Sequence, residues 1–215
     1  MAYGGVLFDL DGTLLNTIEL IVCSYRHTFR ECLGLDVPRR DVLARIGWTL
    51  PAHLALYRPD PQAVAEMTEV YRRFNLANHD RLARLFPGVR ETLAALARAG
   101  IRLGVVSSKI RVGVERGLEL FDLTRYFRTV ICLEDTERHK PDPEPVALGV
   151  RRLGLEPGQV VMVGDSPSDL EAGRRAGTGT AAVAWSTFSA EELEAADPDH
   201  FLSAMEDLLP LCGVD

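Results

Sequence analysis

The stretch that decides the fold covers residues 5–17 and reads GVLFDLDGTLLNT. Its apolar start predicts a strand over residues 5–10, buried on both faces of a sheet. Two acidic residues, Asp9 and Asp11, close this run and are followed by Gly12. A glycine permits the tight turn that would present both carboxyl groups at the carboxyl end of the strand.

Four further apolar runs repeat the pattern, at residues 101–106 (IRLGVV), 129–133 (TVICL), 160–163 (VVMV) and 180–185 (TAAVAW). Segments with helical spacing of apolar residues, such as Val89, Leu93 and Leu96, separate them. Strands that alternate with helices are typical of an α/β fold. The sequence therefore predicts a doubly wound parallel sheet.

Helix boundaries are marked by capping residues. Asp142 before Pro143 predicts a cap and a first helical residue, and Ser166 with Asp169 three residues later predicts a capping box around Pro167. Glycines are common just past helix ends, and three of them mark such ends here: Gly100, Gly154 and Gly177.

Residues 16–86 lack a convincing strand and place apolar residues at helical spacing, with breaks at 46–51 (IGWTLP) and 58–61 (RPDP). We predict an inserted helical module over 16–86, and residues 1–15 and 87–215 then form the α/β core. Two linkers join the units, so the module could open and close over the first strand's end.

Composition limits the possible functions. The chain has 215 residues and a formal net charge of −7, which disfavours binding to nucleic acid. No apolar run is long enough to span a bilayer, and the N-terminus lacks a basic segment of the secretory type. Four cysteines without metal-ligand spacing predict buried reduced thiols. These features predict a cytoplasmic protein that binds neither membrane nor nucleic acid.

Lysine is unusually rare. Of 24 basic residues, 22 are arginines, and the two lysines are Lys109 and Lys140. Because arginine supplies the general surface charge, a lysine after a predicted strand suggests a specific need for a compact ammonium group. Lys109 is expected either to hold phosphate beside Ser107 or to cap the following loop.

Polar groups follow four of the predicted strands, and ligands of such sheets gather beyond the carboxyl ends of strands. The groups are Asp9 with Asp11, Ser107, Lys140 and Asp165. Clustered carboxylates repel each other unless a cation joins them, and Mg²⁺ favours oxygen ligands. With Mg²⁺ and Lys140 neutralising a phosphoryl group, Asp9 could attack phosphorus while Asp11 serves as general acid and base.

Four segments in this order resemble the four motifs of the haloacid dehalogenase superfamily: 9–17 (DLDGTLLNT), 105–109 (VVSSK), 139–143 (HKPDP) and 163–169 (VGDSPSD). The insertion over 16–86 is similar to the C1 type of helical cap, which implies a cap domain over 16–86 and a catalytic core of residues 1–15 and 87–215. The resemblance implies Asp9 as nucleophile and Mg²⁺ bound by Asp9, the Asp11 carbonyl and Asp165. It further implies Ser107 and Lys140 as phosphoryl-binding residues, with Asp169 supporting the metal site or Lys140.

Within the superfamily, the segments 46–50 (IGWTL) and 71–73 (YRR) resemble those of phosphoglycolate phosphatases. The resemblance implies magnesium-dependent hydrolysis of a small, phosphoglycolate-like phosphomonoester by a monomer or homodimer. Trp48 stands where a small residue or proline is commoner in that pattern. The candidate substrate-binding residues are Gly12, Thr13, Ser108, Lys109, Arg45 and Trp48.

Several alternatives stay open on the sequence. Inorganic pyrophosphatase and nucleotide phosphatase would use the same core residues. A β-phosphoglucomutase-like phosphotransferase is less favoured, because residues 16–86 contain arginines but no lysine. That absence also argues against a phosphonoacetaldehyde hydrolase, and Asp11 argues against a dehalogenase. A catalytically silent binding protein would not need this full set of mutually repelling groups.

Overall fold

The computed structural model describes residues 2–214 of the chain. A six-stranded sheet has the order β5-β4-β1-β6-β7-β8, and every neighbouring pair is parallel. The strands in chain order are β1 (Gly5–Phe8), β2 (Leu15–Asn16), β3 (Arg84–Leu85), β4 (Arg102–Val106), β5 (Phe127–Ile131), β6 (Val160–Gly164), β7 (Gly179–Val183) and β8 (His200–Leu202).

Helices connect these strands and also fill the stretch between β2 and β3. They are α1 (Ile18–Leu33), α2 (Arg39–Leu43), α3 (Leu50–Ala55), α4 (Pro61–Leu82), α5 (Val89–Arg98), α6 (Arg111–Leu120), α7 (Glu144–Leu153), α8 (Pro167–Arg175), α9 (Ala190–Glu194) and α10 (Leu208–Leu211). Within residues 2–214, no helix combines the length and the apolar composition needed to cross a membrane.

The sheet separates two apolar cores because successive side chains of a strand point to opposite faces. Val6 and Phe8 of β1 pack with Leu93 and Val114, from α5 and α6. On the other face, Leu7 packs with residues of α7 and α8, among them Val146, Val150 and Ala172. The predicted α/β, doubly wound parallel sheet is confirmed.

Helices α1 to α4 bury a separate set of apolar side chains against each other, including Ile18, Phe29, Leu54 and Met67. Strands β2 and β3 pair antiparallel where the chain enters and leaves this helical region, with Leu15 opposite Leu85. The expectation of no strand in residues 16–86 is therefore wrong at both ends, where two-residue strands close the junction.

Some predicted boundaries differ from the structure. Helix α7 begins at Glu144, and Pro143 precedes it as the capping residue; Asp142 instead accepts a hydrogen bond from the Glu144 amide through its carboxylate. β5 starts two residues before the predicted run, and β8 was not predicted. The capping box of α8 is confirmed, since the Ser166 hydroxyl accepts from the Asp169 amide.

The thiol prediction holds for two of the four cysteines. All four are free, but only Cys132 and Cys212 are buried, whereas Cys23 and Cys32 are partly exposed. Both of the partly exposed thiols lie on α1, whose outer face is in solvent.

Candidate active site

A buried lysine joins the strand ends at the carboxyl edge of the sheet. The Lys140 ammonium donates to Asp9 Oδ1 at 2.7 Å, to Asp169 Oδ1 at 2.5 Å and to the Val106 carbonyl at 3.0 Å. Its side chain is only 2% exposed. Since an ammonium group has three donors, all of them are used, which is the condition for burying such a charge.

The charge on Lys140 is stabilised by its neighbours. Burial alone would lower the pKa of this amine, but the carboxylates of Asp169 and Asp9 outweigh that effect and raise the pKa above its ordinary value. Lys140 is therefore a permanent cation at the centre of the site.

One lysine does not balance the acidic groups around it. Asp9, Asp165 and Asp169 are buried and offer carboxylate oxygens that all lie within 4.8 Å of one another. Burial raises the pKa of Asp9 to about 7 despite the opposing effect of Lys140. Burial, followed by the charges of Asp169 and Asp9, raises the pKa of Asp165 well above its ordinary value. The positive charge near Asp9 and Asp165 is thus too small to offset the effect of burial on their pKa values.

The geometry at Asp165 fits a metal ion. Its Oδ2 atom is buried and has no hydrogen-bond partner among the described residues. A buried carboxylate oxygen without a partner is costly unless a cation binds it. An all-oxygen set with two or three carboxylates is the type of site that Mg²⁺ prefers. The predicted metal residues therefore fit the ion, with Asp169 directed to Lys140 and the Ser166 hydroxyl.

Asp11 lies beside this cluster rather than in it. Its Oδ1 atom accepts from the Thr17 hydroxyl at 2.7 Å and from the Lys109 ammonium at 3.0 Å. The ion pair of Lys109 with Asp11 is a contact that the sequence does not predict, since it suggests only a bound phosphate or a loop cap for this lysine. Thr17 was also missed as a site residue, although it belongs to the opening motif.

Gly12 and Thr13 lie against Asp165. Gly12 has a φ of 97°, and a Cβ there would come 2.2 Å from Asp165 Oδ2. Thr13 is fully buried and places its hydroxyl 3.5 Å from Asp165 Oδ1. The structure therefore places these two predicted substrate-binding residues beside the Asp165 carboxylate, and neither lines the cavity described next.

A cavity of about 120 Å³ lies between the strand ends and the helical region. It brings together all the other predicted substrate-binding residues, namely Arg45, Trp48, Ser108 and Lys109. Trp48 is half exposed, and the Ser108 hydroxyl is buried without a partner among the described residues. The remaining lining residues are Asp9, Asp11, Ile21, Tyr25, Ile46, Gly47, Leu50, Tyr71, Arg72, Asn75, Leu76, Ser107, Ile110, Gly113 and Leu133.

The cavity is lined by two acidic and three basic residues. Asp9 and Asp11 follow β1 and Lys109 follows β4, whereas the helical region contributes Arg45 and Arg72. Arg72 Nε is buried and unpartnered within the described part of the chain. The wall that the helical region forms is therefore cationic, and it suits a ligand that carries negative charge.

This combination of fold and site defines a hydrolase of the haloacid dehalogenase type, in which strand ends of a doubly wound sheet supply acids, a serine and a lysine. The chain belongs to the haloacid dehalogenase-like hydrolase family, whose family model matches residues 6–183. The predicted superfamily is thus confirmed.

Individual relatives cover nearly the whole chain. Pyrophosphatase PpaX of Bacillus velezensis is 44% identical over 209 residues, which span 97% of this chain and 96% of the relative. Pyrophosphatase PpaX of Halalkalibacterium halodurans is 40% identical over 214 residues, or 100% and 99% of the two chains. The crystal structure of a haloacid dehalogenase-like hydrolase from Bacteroides fragilis matches with a TM-score of 0.90 and 28% identity, over 96% of this chain and 99% of that one. The protein is an enzyme of the phosphatase class, as the sequence predicted.

Proposed function

We propose that the chain is a magnesium-dependent phosphatase that forms an aspartyl-phosphate on Asp9 and that its substrate is inorganic pyrophosphate. The observation that carries the chemistry is the buried Lys140 between Asp9 and Asp169, next to the unpartnered carboxylate oxygen of Asp165. The relatives named pyrophosphatase favour pyrophosphate over a phosphoglycolate-like monoester, and the cationic cavity wall suits the negative charge of its leaving phosphate.

In this proposal Asp9, Asp165 and the Asp11 carbonyl would hold Mg²⁺, and Asp169 would support the site through Lys140. When bound, the ion would neutralise charge on the phosphoryl oxygens, so that an anionic nucleophile can approach them. The donors of Lys140 are already engaged, so this residue acts on the phosphoryl group mainly through its charge. Ser107, at the end of β4, donates its hydroxyl to a phosphoryl oxygen.

The reaction has two steps. A carboxylate oxygen of Asp9 attacks phosphorus, the bond from phosphorus to the bridging oxygen breaks, and the electron pair leaves with the departing phosphate while Asp11 donates a proton. Asp11 then removes a proton from water, whose oxygen attacks the same phosphorus, and the bond to Asp9 breaks. One water is consumed, two phosphates are released, and both aspartates return to their initial state.

The helical residues 16–86 act, in this proposal, as a cap that covers the substrate. They supply Arg45, Trp48 and Arg72 to the cavity and join the core only through the β2–β3 junction in the chain. The substrate is a small phosphorylated metabolite. Cytoplasmic location and a monomeric or homodimeric state stay predictions of the sequence.

The test is a substrate panel of pyrophosphate, phosphoglycolate, a nucleoside monophosphate and a sugar phosphate, each assayed with Mg²⁺ and with excess EDTA. We expect kcat/KM for pyrophosphate to exceed the others by at least about tenfold, because only pyrophosphate offers a phosphate leaving group to the cationic wall. EDTA should abolish turnover of every substrate. Preference for phosphoglycolate, or activity that survives EDTA, would contradict the proposal.

A further inference from the structure

Lys109 is the second lysine of the chain, and it is placed at the cavity rather than in the carboxylate cluster. It lies two residues after Ser107, in the loop that follows β4, and its side chain is 15% exposed. Its main-chain carbonyl accepts from the Leu133 amide at 3.0 Å, and its amide donates to the Ser107 hydroxyl at 3.3 Å. The loop therefore fixes the backbone from which this ammonium group extends.

The two lysines differ in the number of donors left free. The Lys140 ammonium donates three hydrogen bonds, to Asp9, Asp169 and the Val106 carbonyl. Within the part of the chain that the structure describes, the Lys109 ammonium donates one, to Asp11 at 3.0 Å. Two donors of Lys109 therefore stay available at a cavity wall, where a substrate oxygen can accept them.

Gly113, in the first turn of α6, gives Lys109 its path to Asp11. A Cβ at Gly113 would lie 2.8 Å from Lys109 Cε and 3.3 Å from its Cδ and Cγ. Contacts that short would force the lysine stem aside. Because Gly113 has no side chain, the extended side chain of Lys109 can pass over it and reach Asp11.

We propose that Lys109 determines specificity by binding the leaving phosphate of a diphosphate substrate, a role that rests on the proposed function. The proton from Asp11 goes to the bridging oxygen of that leaving group. An ammonium 3.0 Å from Asp11 is therefore next to the other oxygens of the same phosphate. Phosphate leaves with more negative charge than an alcohol or a phenol, and Lys109 offsets the charge that develops.

The experiment compares Lys109→Met, Lys109→Arg and Gly113→Ala with wild type on pyrophosphate and on p-nitrophenyl phosphate, both with Mg²⁺. Met keeps the length of the stem and removes the charge. The matched control is Arg98→Met, which removes a cation from an exposed position on α5 outside the cavity. Urea unfolding of each variant shows whether it is folded.

We expect Lys109→Met to lower kcat/KM for pyrophosphate by about a hundredfold or more and for p-nitrophenyl phosphate by less than about fivefold. Lys109→Arg should recover part of the pyrophosphate activity, because it restores the charge with a different donor geometry. Gly113→Ala should reproduce the selective loss in a smaller degree, and Arg98→Met should change neither substrate.

Equal losses on both substrates would show that Lys109 only positions Asp11, and no loss on pyrophosphate would show that it does not contact the leaving group. Either result overturns the assignment while leaving the proposed function intact. A wild-type enzyme that does not hydrolyse pyrophosphate would overturn the proposed function and this assignment together.

Discussion

At the scale of single residues, burial has opposite outcomes for the protonation of two basic groups, Lys140 and His53. Lys140 is kept charged by two carboxylates in direct contact. His53, on α3, is fully buried among the rings of Tyr25, Phe29 and Tyr57, and both its ring nitrogens lack hydrogen-bond partners within the described residues. Burial, with a smaller contribution from the charge of Arg45, lowers the pKa of His53 to about 4.

This depressed pKa predicts an acid-sensitive fold. The unfolded chain binds a proton at His53 near its ordinary pKa of 6.5, whereas the folded chain does so near 4, so stability is present above pH 6.5 and is lost as the pH falls toward 4. We expect His53 to account for about 2 kcal/mol of the loss in unfolding free energy between pH 7.5 and pH 5.

Urea unfolding of wild type and His53→Phe at pH 7.5 and pH 5 measures the contribution of His53 to this loss of unfolding free energy. Phe retains an aromatic ring in the cluster but does not titrate. The variant should lose less stability on acidification by about that amount. Identical pH dependence in the two proteins would contradict the assignment.

At the scale of elements, the loop between α2 and α3 touches the turn that begins α8. Gly47 in this loop has a φ of 93°, and a Cβ there would lie 3.1 Å from Ser166 Oγ and 3.2 Å from Ser168 Oγ. Ser166 and Ser168 lie in the turn that connects Asp165 to Asp169. The helical region thus contacts the core through Gly47, directly beside the proposed metal site.

Gly47→Ala tests whether this close approach matters for activity. The added methyl group should push the loop away from Ser166 and Ser168 and lower kcat/KM for pyrophosphate by about tenfold, with a backbone strain of about 1–2 kcal/mol. Gly34→Ala is the matched control, because Gly34 also has a positive φ, of 66°, but a Cβ there meets nothing within 4 Å.

Both variants should lose unfolding free energy, Gly47→Ala at least as much as Gly34→Ala, and only Gly47→Ala should lose activity. If kcat/KM falls by a similar factor in Gly47→Ala and Gly34→Ala, backbone strain alone explains the loss of activity. Unchanged activity in Gly47→Ala would show that the contact can be relaxed without cost.

The elements also show where sequence patterns stop being informative. Strand β1 was predictable because its apolar run is continuous and ends in acidic residues. β8 was not, because it has three residues, lies at the sheet edge and carries an exposed Phe201 between a polar and a buried residue. The start of α7 was misplaced by one residue because Asp142 and Pro143 both favour the helix start, and only the backbone geometry distinguishes the cap.

At the scale of the whole molecule, the order of strands explains why distant residues form one site. β1 lies between β4 and β6, so Asp9, Ser107 and Asp165 emerge side by side. That convergence could be predicted from the rule that parallel strands present their carboxyl ends at one edge. The pairing of Lys109 with Asp11 could not, because it depends on the space left by Gly113 and on the side-chain path, neither of which follows from motif spacing.

The central claim is that Asp9 carries the phosphoryl group between the two steps. The most direct test mixes ³²P-labelled pyrophosphate and Mg²⁺ with Asp11→Asn, quenches in acid within the first turnover and maps the labelled peptide. This variant should accumulate label, because a phosphate leaving group needs little protonation whereas the attack of water needs a base. We predict acid-stable, hydroxylamine-labile label on the peptide that contains Asp9, and no label after the further change Asp9→Asn. Label on another residue, or turnover by Asp9→Asn, would contradict the account.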